Sequence, residues 1–163
     1  MCVPGLDASL RLDNQAQVLI LLLRSHQFAV TSTEKIRIYG LTAPEEKGTS
    51  DLEEVRTISR DVVTAQAKLS FRAARFGRGP TASQLLAVLN APPPSKRGGP
   101  RKAFVASFTF GKGSDKPFAL ERTRVLAAKP VTVVDLSACG SRLAYGCSDL
   151  SVGIVDATTF GVS

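Results

Sequence analysis

The sequence predicts an all-β fold made of short antiparallel strands. Three observations support this prediction. Apolar residues alternate with polar ones at the period of a strand, turn-forming residues separate these segments, and a set of strands recurs along the chain. A length of 163 residues, with 44% hydrophobic and 21% charged residues, is typical of one folded globular domain.

The first strand region covers residues 27–41. Ile36 and Ile38 alternate there with Lys35 and Arg37, which is the pattern of a half-buried strand. Further strands are predicted at residues 52–58, 68–76, 84–90, 103–110 and 121–126.

Two segments between these strands differ in character. Residues 91–100 (APPPSKRGGP) contain four prolines and two glycines, so they cannot take part in a strand ladder, and we expect an exposed loop. Residues 59–67 (SRDVVTAQA) are the place where a short helical turn is expected.

The last third of the sequence predicts a three-stranded meander. Residues 131–136 and 142–147 read as two strands joined by a hairpin turn at residues 137–140. A second tight turn at residues 148–151 leads into a third strand at residues 152–156.

An internal repeat extends this pattern to a propeller. Residues 28–40 resemble residues 143–156 at an offset of about 115, as two strands around a polar turn. A four-stranded unit repeated in this way predicts part of a β-propeller of about two to three blades. The expected division is an atypical N-terminal segment at residues 1–17, followed by a partial propeller at residues 18–163. Its blades are expected at approximately 18–58, 68–127 and 130–163.

Several classes of site are not expected. Cys2, Cys139 and Cys147 are odd in number and form no C-x-x-C pair, which argues against a disulfide framework and a zinc site. His26 is the single histidine and is expected to have a structural or surface role. We therefore predict no catalytic, cofactor-binding or metal-binding residues.

A membrane span is not expected either. The longest apolar run, at residues 18–23, has six residues, whereas a spanning helix needs about 20. Residues 1–13 lack the features of a secretory signal. The chain by itself is thus expected to be soluble or cytoplasmic.

Positive charge is concentrated in the middle of the chain. Residues 56–102 hold ten basic residues and one acidic residue, against a net charge of +7 for the whole chain. Nucleic acid, anionic lipid and an acidic protein are the partners that such a segment could bind. Only Phe71 and Phe76 are interleaved with the basic residues, and no RNA- or DNA-binding motif accompanies them, so nucleic acid is not expected. A solvated loop plus one basic face is the expected arrangement.

The end of the meander resembles the end of a WD repeat. The segment at residues 147–156 (CSDLSVGIVD) fits that pattern, with Val155 where tryptophan is usual. Asp149 matches the aspartate that orients the blade turn, and Asp156 matches the closing aspartate. The resemblance implies a structural role for both and identifies a fold without a function.

A narrower resemblance covers residues 68–160. The runs FRAARFG, LLAVLNAPPPSKRGGPRKAFVASF and KPVTVVDLSACGSRLAYGCSDLSVGIVDATTF resemble one family of propeller proteins. Its members, the PREB-like family including fungal proteins, are guanine nucleotide exchange factors of the endoplasmic reticulum that act on the Sar-type small GTPase of the COPII coat. The resemblance implies a Sar-type GTPase as partner, a role in vesicle transport from the endoplasmic reticulum to the Golgi, and a place on the cytosolic face of that membrane.

The chain departs from the family in two ways. A seven-bladed propeller needs roughly 300 residues at about 40–45 residues a blade, and the family adds a transmembrane anchor, which is not expected in these 163 residues. The family's exchange activity depends on a glycine-rich, potassium-binding loop, whereas residues 1–41 contain only Gly5 and Gly40. No catalytic residue and no potassium site is therefore carried over.

Two classes of function stay open from the sequence. The first is an exchange factor, which performs no bond-making chemistry; the second is a WD-repeat scaffold that binds proteins without exchange activity. Residues 111–114 (GKGS) lack the spacing of a P-loop and are expected to be an ordinary loop. An arc of blades with open faces is expected to be marginally stable, to self-associate or to depend on further blades.

Overall fold

Eleven strands form three antiparallel sheets in the part of the chain that the computed structural model describes, which comprises residues 18–24, 27–41, 52–64, 68–94, 99–109 and 119–162. Sheet A contains β1 (Val18–Arg24), β2 (Gln27–Thr31), β3 (Lys35–Leu41) and β4 (Leu52–Ser59). Sheet B contains β5 (Ser70–Phe76), β6 (Gln84–Asn90), β7 (Ala103–Thr109) and β8 (Ala119–Ala127). Sheet C contains β9 (Val131–Leu136), β10 (Arg142–Cys147) and β11 (Val152–Asp156).

Each sheet is a meander in which consecutive strands pair with one another. Sheets A and B have four strands, and sheet C has three. Beyond β11 the chain turns back, and Val162 forms an isolated antiparallel bridge with Val155. This bridge lies where a fourth strand of sheet C would begin.

Sheet B lies between the other two sheets, and this position explains the composition of β6. Leu86 and Val88 belong to the core shared with sheet C, whereas Leu85, Ala87 and Leu89 belong to the core shared with sheet A. Successive side chains of a strand point to opposite faces, so a strand buried on both faces carries a continuous apolar run. The sequence LLAVL satisfies this requirement.

The all-β prediction is confirmed. The strand region predicted at residues 27–41 is a hairpin in the structure. It forms two strands rather than one, because Ser32 turns the chain between β2 and β3. The Ser32 hydroxyl donates to the carbonyl oxygen of Lys35 at 3.0 Å and accepts from the Lys35 amide at 3.1 Å. The hairpin agrees with the internal repeat, which places a polar turn here.

In the described part of the chain, two short 3-10 turns lie between strands, at Arg60–Val62 and Gly79–Thr81. The first lies in the segment where a helical turn was expected, and the second was not anticipated. β1 was likewise not assigned as a strand from its sequence, because an unbroken apolar run shows no alternation.

β8 is an edge strand whose side chains are mostly exposed. Glu121, Arg122 and Arg124 give this edge charges, which discourage pairing with another chain. The Arg122 guanidinium also donates to the carbonyl oxygen of Thr158, so β8 is tied to the segment that follows sheet C.

Candidate protein-interaction surface

The connections between strands gather at two ends of the sheets. Arg72 contacts the Thr132 carbonyl, and Arg75 contacts Asp135, so β5 and β9 run in the same direction side by side. Because connections alternate between the ends of a meander, the turns at residues 77–83 and 137–141 share one end. The loop at residues 91–102 and the turn at residues 148–151 share the other.

At the first end, Thr81 joins the turns of sheets B and C. Its buried hydroxyl lies 3.0 Å from the carbonyl oxygen of Arg78 and 3.2 Å from that of Gly140, and it accepts from the Arg78 amide at 3.1 Å. Gly140 has a φ of 75° and Gly79 a φ of 51°, and the two turns approach so closely that a side chain at either glycine would meet the backbone opposite. The two turns therefore form one rigid unit.

Cys139 lies exposed on this unit. Its sulfur is 3.4 Å from the Ser137 hydroxyl oxygen and 2.9 Å from that of Ser141. Hydrogen bonds from Ser137 and then Ser141 lower the pKa of the Cys139 thiol to about 7. A substantial fraction of this thiol is thus thiolate at neutral pH.

The second end is held together by hydrogen bonds between sheets and between loops. The Asn90 amide nitrogen donates to the carbonyl oxygen of Val131, and the Val131 amide donates to the Asn90 side-chain oxygen, both at 2.9 Å. The Ala91 amide donates to the Lys102 carbonyl oxygen at 2.8 Å, which closes the base of the proline-rich loop.

Three lysines stand exposed at this second end, which we call the basic end. Lys68 precedes β5, Lys102 precedes β7 and Lys129 precedes β9. The prolines of the adjoining loop at residues 92–94 are also exposed, as the sequence predicted. Lysine ammonium groups on a rigid backbone can bind carboxylates or phosphates.

The basic segment of the sequence does not form the one basic face that we expected. The Arg72 guanidinium donates to the Thr132 carbonyl oxygen at 3.0 Å, and the Arg75 guanidinium donates to the Val134 carbonyl oxygen at 2.9 Å. These two arginines join β5 of sheet B to β9 of sheet C. The physical reason is that each lies beside β9, whose backbone carbonyls offer acceptors near the boundary of the core.

Two more arginines of the segment are used locally. Arg60 pairs with Glu34 at 3.2 Å, and Arg101 donates to the Ala91 carbonyl oxygen at 2.7 Å. Lys96 and Arg97 lie outside the described residues. Among the described residues, the accessible positive charge of the basic end therefore comes from exposed lysines. Lys68 and Lys102 belong to the basic segment at residues 56–102, and Lys129 lies outside it.

Asp149 lies in the turn between β10 and β11, where the sequence placed it. Its Oδ1 accepts from the Ser151 amide at 3.1 Å and from the Ser151 hydroxyl at 2.6 Å. These bonds, the hydroxyl first, hold the pKa of the Asp149 carboxyl below its usual value. Both Asp149 and Ser151 are exposed, so the bonds shape a surface turn and satisfy no buried donor.

Asp156 lies at the opposite end of β11. Its Oδ1 accepts from the amides of Thr158 at 2.9 Å and Thr159 at 2.7 Å, and from the Thr159 hydroxyl at 3.0 Å. The Thr159 bonds are the main cause that lowers the pKa of the Asp156 carboxyl. The resulting turn places Phe160 in the core between sheets B and C. The structure does not bring Asp149 and Asp156 together, since one strand separates them.

Some predicted features lie outside the described residues, namely His26, Cys2 and residues 111–114. Among the described residues there is no group of three or more histidine, cysteine, aspartate or glutamate side chains placed to hold a metal ion. The same residues include no helix with the length and apolar character needed to cross a membrane.

Sequence reasoning missed Thr81 and Asn90. Asn90 had a visible signal, because it ends the apolar run of β6 with a polar residue that the strand buries. Thr81 had none, since its partner at Gly140 is remote in the sequence and nothing local marks the contact.

Comparison with known proteins supports the fold. No family model and no curated protein matches the chain. Solved structures do match, including Sqt1 from Chaetomium thermophilum bound to the N-terminus of the ribosomal protein L10, with a TM-score of 0.57 and 14% identity over 85% of this chain and 31% of that one. A structure described as Sqt1 from Chaetomium thermophilum gives a TM-score of 0.56 and 14% identity over 85% of this chain and 29% of that one.

The chain thus spans about a third of the length of these neighbours and has the fold of WD-repeat propeller blades. The prediction of an all-β, partial propeller is confirmed. The comparisons give no support to the narrower resemblance to a Sar-type exchange factor, which stays a prediction.

Proposed function

We propose that this chain is a protein-binding scaffold that binds an acidic segment of a partner protein at its basic end. The observation that carries the proposal is the exposure of Lys68, Lys102 and Lys129 at one end of the sheets, where the Asn90 side chain joins sheets B and C by two hydrogen bonds. A rigid arrangement of like charges attracts a complementary segment without a large ordering cost.

The fold supports the same proposal. A structural neighbour, Sqt1, was solved bound to the N-terminus of a ribosomal protein. That complex is a precedent for binding of a protein segment by a protein that contains blades of this fold. It does not identify the partner of this chain, because fold similarity at 14% identity carries no residue-level correspondence.

We infer further that the chain acts by binding alone, without a cofactor and without nucleic acid as partner. The support is the sequence, in which His26 is the single histidine and no nucleic-acid-binding motif accompanies the basic residues. A protein with this composition has few groups suited to proton transfer near neutral pH.

The test is fluorescence anisotropy with labelled peptides of equal length that are acidic, neutral or basic. We expect the acidic peptide to bind and its affinity to fall with added salt. Replacing Lys68, Lys102 and Lys129 by glutamate should weaken binding by about tenfold or more, at roughly 0.5 kcal/mol for each exposed ion pair. Arg124→Glu, on the exposed strand β8, is the control and should bind as the parent does.

Two outcomes count against the proposal. The first is the absence of any preference for the acidic peptide. The second is an equal loss of affinity in Arg124→Glu and in each single lysine-to-glutamate variant, which changes the net charge by the same amount; this would indicate a response to net charge rather than to the basic end. Single-stranded DNA of equal charge serves as competitor, and stronger binding of the DNA would also contradict the choice of partner.

A second candidate function is nucleotide exchange on a Sar-type GTPase at the cytosolic face of the endoplasmic reticulum. Its support is the resemblance of residues 68–160 to the PREB-like family. An exchange factor must bind the nucleotide-free GTPase more tightly than the loaded form. Binding of both forms with equal affinity would place a Sar-type GTPase among the partners of a scaffold instead.

A further inference from the structure

Sheets B and C can be aligned strand by strand. In this alignment, the face of sheet B that packs on sheet C corresponds to the outer face of sheet C, the side that points away from sheet B. Leu85 pairs with Phe108 in sheet B as Leu143 pairs with Val155 in sheet C. The first strands agree with this alignment, since Phe76 pairs with Leu85 as Leu136 pairs with Leu143. The two sheets can therefore be compared position by position.

The comparison shows that equivalent positions differ in burial. In sheet B, Ala73 and Val105 are at most 4% exposed, because sheet C covers them. Their counterparts in sheet C are Val133 and Val152, which are 61% and 85% exposed. Ile154, on the same face, is 51% exposed. Sheet C thus presents an apolar face of the kind that covers a neighbouring sheet elsewhere in this molecule.

The outer face of sheet A lies at the other side of the stack and carries an aromatic pair beside Arg37, which pairs with Glu54 at 3.9 Å. Ile36 and Ile38 point into the core shared with sheet B, so Phe28 and Tyr39 lie on the opposite face. The rings of Phe28 and Tyr39 stack with centroids 5.3 Å apart and are only half-buried. A half-buried aromatic pair on the open face of a sheet is typical of an interface.

We propose that the outer face of sheet C packs against the outer face of sheet A of a second copy of this chain, head to tail. The contact continues the stacking of sheet A on sheet B and of sheet B on sheet C. The contact is heterologous, because it joins two different faces, sheet C of one copy and sheet A of the next. Repeated contacts of this kind form a closed ring or an open chain of copies.

The residues on the two outer faces favour a second copy of the chain as the partner of sheet C. Val133, Val152 and Ile154 would be covered by Phe28 and Tyr39, which bury a large apolar area for little lost conformational freedom. A covered face of this kind would also remove the apolar exposure that disfavours a soluble monomer.

Sedimentation velocity over a wide range of protein concentration tests the proposal. We expect the parent chain to form assemblies larger than a monomer as its concentration rises. Val152→Lys blocks the sheet C face and Tyr39→Lys blocks the sheet A face, so each variant alone should be monomeric. Val62→Lys is the control, because Val62 is 51% exposed in a 3-10 turn outside both faces, and it should assemble as the parent does.

Mixing the two blocked variants makes the test specific for a head-to-tail contact. Val152→Lys keeps an intact sheet A face and Tyr39→Lys keeps an intact sheet C face, so the mixture should form dimers that stop at two copies. Thr57→Lys replaces Tyr39→Lys if circular dichroism shows that the latter is unfolded, since Thr57 is exposed on the same face.

Three results would overturn the proposal. They are a parent chain that is monomeric at every concentration, a Val152→Lys variant that assembles as the parent does, and a mixture that stays monomeric. A parent chain that stays monomeric would indicate that the outer face of sheet C binds a different protein or a further segment of a longer polypeptide.

Discussion

The side chain of Asn90 makes two hydrogen bonds with the backbone of Val131, one as donor and one as acceptor, each 2.9 Å long. The pair joins the end of β6 to the start of β9 and so connects sheets B and C at the basic end. Both residues are buried, so neither group has water as an alternative partner.

The first prediction concerns this pair. Asn90→Ala should lower the free energy of unfolding by about 1–3 kcal/mol, because it leaves the buried amide and carbonyl of Val131 without partners. Urea denaturation followed by circular dichroism measures the change. Gln84→Ala is the control, since its amide donates to the exposed Glu121 and its loss should cost less. Equal losses in the two variants would contradict the role of Asn90.

The second prediction concerns Gly140. A methyl group there would meet the backbone of Arg78, and the φ of 75° disfavours any side chain. Gly140→Ala should therefore cost at least about 2 kcal/mol of stability. Gly161→Ala is the matched control, because its nearest neighbour is the Thr159 hydroxyl at 3.2 Å and its φ is ordinary. A Gly140→Ala variant as stable as Gly161→Ala would contradict the close contact between the two turns.

The third prediction concerns Cys139. With its pKa lowered to about 7, the thiol should react with iodoacetamide at a rate that rises through pH 7. Ser137→Ala should shift that rise to higher pH, because the hydroxyl that stabilises the thiolate is gone. The measurement uses a Cys2→Ser background, and the buried Cys147 should react slowly. An unchanged pH profile in Ser137→Ala would contradict the assigned cause.

The fourth prediction concerns Asp156 and acid. Its carboxyl has a lowered pKa in the folded chain, so its contribution to stability is present above the pKa of an unfolded aspartate and is lost as the pH falls through the folded value. Asp156→Ala should lower the melting temperature at neutral pH and should flatten the loss of stability in acid.

Asp149→Ala serves as the comparison for Asp156→Ala. We expect a smaller change, because Asp149 binds two donors of one exposed residue and holds no buried side chain in place. Thermal melts of both variants between neutral and acidic pH provide the measurement. A larger effect at Asp149 would reverse the ranking of the two turns.

The strands with period-two alternation or bounded apolar runs were predictable from sequence. β6 and the meander of β9 to β11 follow from residues that are neighbours in the chain, since strand burial and turn chemistry are local properties. β1 was missed because its apolar run has no period. Alternation also merged β2 and β3 into one segment until the repeat placed a turn between them.

The contacts between sheets were not predictable. Arg72 and Arg75 looked like surface charge, and their acceptors on β9 are about 60 residues away in the sequence. The excess of basic residues could be predicted from composition. Which of these side chains bind a backbone carbonyl and which are exposed depends on the packing of the sheets, which composition does not show. Asp149 and Asp156 were found through the resemblance to the end of a WD repeat, and in the structure each binds a hydroxyl side chain within three residues of it.

The central proposal is that this chain acts as a protein-binding scaffold rather than as a nucleotide exchange factor. The most direct measurement is the release of a fluorescent GDP analogue from a Sar-type GTPase, with and without the chain, using magnesium removal by EDTA as the positive control. The account predicts that release in the presence of the chain equals the intrinsic rate, whether the GTPase binds or not. Stimulation well above the intrinsic rate would contradict it and would establish the exchange-factor function instead.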